Sequence, residues 1–141
     1  MKILIINGPN LNLLGTREPE IYGNESMDSV LKNLRTTFSD HEILYYQSNI
    51  EGELINRLQE GDFDAVVINP GAFTHYSYAI SDCLKNIQKT KVEIHISNIY
   101  KREEFRQKSV TANAVDGLIS GFGMVGYQIA IYTILQKKAE N

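Results

Sequence analysis

The sequence predicts an α/β protein: a doubly wound, five-stranded parallel sheet with helices on both faces. Three observations lead there. Short apolar runs such as Ile3-Leu4-Ile5-Ile6 and Ala65-Val66-Val67-Ile68 alternate with longer stretches whose apolar residues recur every three or four positions. The second of those runs is apolar without interruption, as a strand covered on both faces should be. A length of 141 residues suits one domain, spanning residues 1–141, with a core of useful size.

The elements follow in order. Residues 2–6 form the first strand. The first helix starts at Ser26, a suitable N-cap, with Asp28 in its first turn where a negative charge suits the helix dipole. Met27, Val30, Leu31, Leu34 and Phe38 form its buried stripe, and Ser39-Asp40-His41 ends it. Residues 42–46 are the second strand. The second helix covers residues 51–60, turns Leu54, Ile55 and Leu58 inward, and stops at Gly61. Residues 65–68 are the third strand, broken by Asn69-Pro70-Gly71. A third helix over residues 77–89 carries Ile80, Cys83, Leu84 and Ile87 on one stripe. Residues 92–97 and 117–122 are the fourth and fifth strands, and residues 124–137 the last helix.

Crossovers in such a sheet are right-handed. With five strands the expected order is 2-1-3-4-5, the flavodoxin-like arrangement, whose ligand crevice lies at the carboxyl ends of strands 1 and 3. A long segment, residues 7–23, leaves strand 1 at that place. Ordinary strand-to-helix connections take about 2–6 residues. Leu11, Leu13, Leu14 and Ile21 give the segment apolar anchors, so it reads as a partly ordered lid.

Composition excludes several classes. A net charge of −3 offers no basic stripe for nucleic acid. No apolar run approaches a membrane span, and the apolar start is too short for a signal peptide. Cys83 is the sole cysteine, so no intrachain disulfide forms and a reduced, cytoplasmic setting is expected. Asn24-Glu25-Ser26 fits a glycosylation sequon but carries no weight without a secretion signal.

The fourth strand departs from the pattern of a buried parallel strand. It reads Val92-Glu93-Ile94-His95-Ile96-Ser97, and alternation puts Glu93, His95 and Ser97 on one side. Burying an unpaired carboxylate costs several kcal/mol at least. Either Glu93 orients His95 and Ser97 meets a ligand, or this is an edge strand with one wet face. If the following segment is helical, Arg102 and Arg106 share a face suited to carboxylates and oxyanions; the bland reading is solvated surface charge. Gly121-Phe122-Gly123-Met124-Val125-Gly126 fits GxGxxG but follows the last strand, so close packing of the last helix on the sheet explains it better than a dinucleotide. His75, just before the third helix, is equally a loop histidine or a ligand contact. No metal-ligand spacing, P-loop lysine or GxSxG elbow occurs.

Taken together, these segments resemble type II 3-dehydroquinate dehydratase, the type II dehydroquinase family, over nearly the whole length. The carrying stretches are Gly8-Pro9-Asn10-Leu11-Asn12-Leu13-Leu14-Gly15, Arg17-Glu18-Pro19-Glu20-Ile21-Tyr22-Gly23, Asn69-Pro70-Gly71-Ala72-Phe73-Thr74-His75, Glu93-Ile94-His95-Ile96-Ser97-Asn98 and Arg102-Glu103-Glu104-Phe105-Arg106. The resemblance implies a flavodoxin-like fold, a hydro-lyase of the shikimate pathway (chorismate and aromatic amino acid biosynthesis), no metal or cofactor, and a dodecamer built from trimers. It implies that Tyr22 removes a proton next to the substrate ketone, with Arg17 favouring the tyrosinate. A tyrosine ordinarily titrates at about 10, so its anion needs such help. Asn10 would hold a water against the enolate. His95, oriented by Glu93, would protonate the departing hydroxyl. Ser97 and the Ile96 amide would grip the carboxylate; Asn69, His75 and Arg106 would hold ring hydroxyls. Arg102 would belong with Arg17 and Tyr22 to the lid, and Asp82 would reach a neighbouring subunit's site. Ser81 departs from an arginine common in the family, and Tyr100 and Lys101 from histidine and alanine, which bears on subunit contacts and lid electrostatics. Two rivals stay open: a non-catalytic binding module of the same fold, and a phosphate-ester hydrolase using His95 and Ser97.

Overall fold

The computed structural model describes residues 1–16, 20 and 25–140. Five parallel strands are β1 (Lys2–Asn7), β2 (Glu42–Gln47), β3 (Ala65–Asn69), β4 (Thr90–His95) and β5 (Gly117–Ser120), and their order in the sheet is β2-β1-β3-β4-β5. The expected 2-1-3-4-5 arrangement is therefore the one found. The helices between them are α1 (Met27–Thr37), α2 (Glu51–Gln59), α3 (Tyr78–Lys85), α4 (Glu104–Gln107) and α5 (Val125–Glu140).

The sheet is covered on both faces because strand side chains alternate. Ile3, Ile5, Ala65, Val67, Val92 and Ile94 pack with Met27, Val30, Leu31 and Leu34 of α1 and with Tyr127, Ala130, Ile131 and Ile134 of α5. Leu4, Ile6, Val66 and Ile68 pack on the other face with Leu54 and Leu58 of α2 and Ile80, Cys83 and Leu84 of α3. Each valine, leucine, isoleucine or methionine side chain so withdrawn from water contributes about 1.5–3 kcal/mol.

Local signals set the helix ends. Ser26 caps α1 by accepting from the Ser29 amide at 3.2 Å. Ser77 caps α3 from the Ile80 amide at 3.0 Å and also donates to Glu51 at 2.6 Å, tying α3 to the start of α2. Gly61, at φ 66, follows α2 as the expected stop.

Several boundaries differ from the sequence reading. Helix α3 ends at Lys85, short of residue 89, and the Lys89 ammonium turns back to the carbonyls of Gly61 (2.7 Å) and Phe63 (2.5 Å). Strand β4 begins at Thr90 and ends at His95, so Ser97 lies beyond the strand rather than on it. The stretch after it is not one helix. A 3-10 turn, Ile99–Lys101, is separated from α4 by Arg102 and Glu103 in extended conformation. Arg102 and Arg106 thus do not share a helical face.

Candidate active site

Strands β1 and β3 end in asparagines that are register partners, Asn7 and Asn69, both buried. Their loops leave in contact. The Gly8 amide donates to the Asn69 carbonyl at 2.8 Å, and a Cβ on Gly8 would stand 2.3 Å from the Pro70 carbonyl oxygen. Gly71, at φ 60, lies against Pro9 in turn. Only glycine allows so close a crossing. Asn10 follows in the left-handed region at φ 66, its amide donating to the Asn49 side chain at 2.9 Å. A 3-10 turn, Leu11–Leu13, then sinks Leu11; Leu14 is buried as well, while Leu13 is 45% exposed.

On β4, Glu93 and His95 point to the same side and are both buried. This strand lies inside the sheet, so the wet-edge alternative is excluded. The His95 Nε2 donates to Glu93 Oε2 at 2.7 Å. Thr111 donates to Oε1 at 2.5 Å, and Thr74 donates to Oε2 at 3.2 Å. The two threonine hydroxyls lie 2.6 Å apart, with Ser109 2.8 Å from Thr74. The carboxylate thus has a donor on each oxygen, which is what permits a buried acid. Among the described residues the ring's other nitrogen, Nδ1, has no partner, and His95 lines the cavity described below.

The loop after β4 is clamped from β5 and its glycines. Gly121 and Gly123 donate their amides to the carbonyls of His95 (3.1 Å) and Ile96 (2.9 Å). Ser120 donates to the Ser97 carbonyl at 3.2 Å and accepts from the Ile99 amide at 3.3 Å. Gly121, at φ 99, would place a Cβ 2.9 Å from that of Asn98. By contrast, a Cβ on Gly126 would meet Ile94 at 3.7 Å, an ordinary contact. The glycine run therefore serves the loop of residues 95–98 more than the packing of the last helix.

One cavity opens at the carboxyl edge of the sheet, and it gathers Asn10, Asn69, His75 and His95 with Ile96, Ser97, Arg102 and Arg106. His75 donates Nδ1 to the Lys108 carbonyl at 2.7 Å, which fixes its ring. Arg106 lies with Nε 2.9 Å from Glu103, a charge contact bent away from the N–H axis, and Arg102 lies 3.9 Å from the same carboxylate. A backbone amide bond and these two guanidinium groups hold Glu103 below the usual carboxylate range. Behind the cavity, Tyr127 donates to Asn7 at 2.8 Å and accepts from Asn69 at 3.3 Å. Two half-buried guanidinium groups, an oriented imidazole and buried amides suit a small polyhydroxylated anion.

The family model described as dehydroquinase class II matches residues 1–135. The chain belongs to the class II dehydroquinase family. It is 54% identical to a 3-dehydroquinate dehydratase of Thermotoga petrophila, covering 99% of each chain, and 52% identical to that of Thermotoga maritima, again with 99% of each covered. Among solved structures, it matches the type II dehydroquinase of Butyrivibrio crossotus with a TM-score of 0.91 at 49% identity, covering 95% of this chain and 97% of that one. The match to the type II dehydroquinase of Propionibacterium acnes has a TM-score of 0.90 at 39% identity, with 94% of each covered.

Within this dehydroquinase fold the remaining candidates separate. Glu93 stands behind His95 and does not line the cavity. Asp82 is exposed on α3, away from the cavity, and Ser81 is buried on the same helix. Tyr100 and Lys101 are exposed in the turn before Arg102. Arg17, Tyr22 and Ile21 lie outside the described residues. Among the described residues no group of His, Cys, Asp and Glu could hold a metal ion, and no helix is long and apolar enough to cross a membrane.

Sequence reasoning missed Thr74, Thr111, Gly121, Asn7 and Tyr127. The signal for Asn7 was present, since both strands that flank the crevice end in asparagine. Thr111 carried none, because it lies 18 residues from Glu93 in an irregular segment.

Proposed function

We propose that this chain is a 3-dehydroquinate dehydratase, a hydro-lyase that eliminates water from 3-dehydroquinate to give 3-dehydroshikimate through an enolate, within the shikimate pathway. Supporting the reading, beside family membership over almost the full length, is one observation: His95, held by the buried Glu93, faces a cavity shared with Asn69, His75, Arg102 and Arg106.

Dehydrating a β-hydroxy ketone takes a base for the α-proton, a stabiliser for the enolate and an acid for a poor leaving group. Tyr22, as tyrosinate beside Arg17, removes the proton from the carbon next to the ketone. The electron pair moves into the enolate, which a water held by Asn10 stabilises. As the enolate collapses, the C–O bond breaks, and His95 delivers a proton to the departing oxygen so that it leaves as water. Ser97 and the Ile96 amide hold the substrate carboxylate; Asn69, His75 and Arg106 hold ring hydroxyls. Arg102 closes over the bound ring with Arg17 and Tyr22 and excludes water. The enzyme acts as one domain over residues 1–141, in the cytoplasm, as a dodecamer built from four trimers, with Asp82 reaching the adjacent subunit's site.

Adding 3-dehydroquinate to the protein and following the absorbance of the conjugated enone tests the reading. The signal should rise without any lysine adduct being trapped by borohydride. A folded protein that gives no enone supports the binding module instead, and a trapped lysine means a different mechanism. Tyr22→Phe should abolish turnover while leaving substrate binding nearly intact; near-normal turnover refutes the assignment of the base.

A further inference from the structure

We infer that Tyr127 is a positioning residue of this site, whose hydroxyl, opposite the Gly71 amide, holds the edge of the Asn69 amide that faces the cavity. The inference rests on the reading of Asn69 as a contact to substrate hydroxyls.

The donors force the direction of every bond in the chain. The Gly71 N–H can only donate, and it lies 3.2 Å from Asn69 Oδ1. Asn69 Nδ2 therefore faces the other way and donates to the Tyr127 oxygen at 3.3 Å. The single proton of Tyr127 goes to Asn7 Oδ1 at 2.8 Å. Asn7 Nδ2 then donates to Tyr45 at 3.4 Å. Among the described residues Asn69 keeps one N–H and one lone pair without a partner, and it lines the cavity. A donor beside an acceptor matches a pair of neighbouring ring hydroxyls.

Packing alone does not explain a tyrosine here. Tyr127 has no exposed surface, and its ring sits in the apolar cluster between α5 and the sheet. A phenylalanine would fill that space without a hydroxyl to desolvate. Asn7 and Asn69 end adjacent strands in register, so the hydroxyl reaches both from one position on α5. Burial also raises the titration of Tyr127, which favours the neutral hydroxyl that donates to Asn7.

The test is a double-mutant cycle on the intact enzyme, with KM and kcat for 3-dehydroquinate measured for wild type, Tyr127→Phe, Asn69→Ala and the double variant. Tyr127→Phe should raise KM by about 3- to 10-fold, the range of one net hydrogen bond, with kcat within about twofold. In the Asn69→Ala background it should raise KM no further. Tyr45→Phe, at the far end of the chain of bonds, should leave KM unchanged. Where Tyr127→Phe is too unstable to assay, Asn7→Ala, which removes the acceptor of the Tyr127 proton outside the cavity, should raise KM in the same selective way. An unchanged KM in Tyr127→Phe (or in Asn7→Ala, if that is the variant assayed) overturns the proposal, as does an equal rise in both backgrounds. If Asn69→Ala itself leaves KM unchanged, the assignment of Asn69 as a substrate contact fails and the proposal with it, while turnover by the wild type still stands for the reaction.

Discussion

Glu93 and His95, two residues apart on the interior strand β4, meet through a 2.7 Å bond between Oε2 and Nε2. The strand's alternation is what makes the pair, since an odd spacing would send the two side chains to opposite faces. Glu93→Gln keeps the size of the side chain and removes its charge. Because the amide can turn a donor toward the imidazole, the ring loses its fixed orientation. Steady-state kinetics should show kcat reduced by about 10²-fold or more, the usual scale of a general acid's contribution, with KM little changed. A variant within threefold of wild type would show that the carboxylate charge is irrelevant to proton transfer.

Thr111 supplies the only hydroxyl described on Glu93 Oε1. Thr111→Val keeps the shape and deletes that donor, leaving a buried carboxylate oxygen unsatisfied. Urea unfolding should place the variant about 1–3 kcal/mol below wild type, and Thr111→Ser should recover most of the difference. Equal stability of the valine and serine variants would argue against this account.

The crossing of the two loops makes a sharp contrast between glycines. Gly8→Ala would force a methyl to 2.3 Å from the Pro70 carbonyl, a backbone atom that cannot rotate aside, whereas a Cβ on Gly117 meets nothing within 4 Å. The first variant should lose more than about 2 kcal/mol of stability and its activity, and the second should stay within about 1 kcal/mol of wild type. Thermal unfolding and turnover measured on both will check this.

Burial, only partly offset by bonds to Asn69 and Asn7, raises the titration of the Tyr127 hydroxyl above the ordinary tyrosine value. In the unfolded chain this group ionises at about 10. Its contribution to stability is therefore complete below that pH and lost as pH rises through the folded-state value. The stability gap between wild type and Tyr127→Phe should be constant between about pH 8 and pH 10 and should narrow above it. Urea titrations across that range, with tyrosinate absorbance as a second reading, decide the point.

Much of this molecule is legible in its chain. The unbroken Ala65-Val66-Val67-Ile68 run and the alternation of Glu93 and His95 each report a physical constraint local to a few residues, so the buried strand and the polar face of β4 could be read directly, while the strand order followed from the fold class. Ile87 continues the apolar stripe beyond the true end of α3, while the ties of Lys89 to Gly61 and Phe63, which draw the chain away, depend on tertiary contact. The break at Arg102 was hidden for a similar reason: spacing of four suggests a helix, but the Asn98 side chain caps the Tyr100 amide and closes a separate turn. Nothing near Tyr127 in sequence shows that its hydroxyl meets Asn7, 120 positions away.

The knot of Gly8, Pro9, Pro70 and Gly71 lies at the seam between β1 and β3, where the two oppositely winding halves of the sheet are joined. A seam spliced at backbone level, and backed by Tyr127 on its inner side, gives neither half a surface along which to peel. The chain should therefore melt in one cooperative step, with the amide protons of β1 and β3 exchanging at the same slow rate.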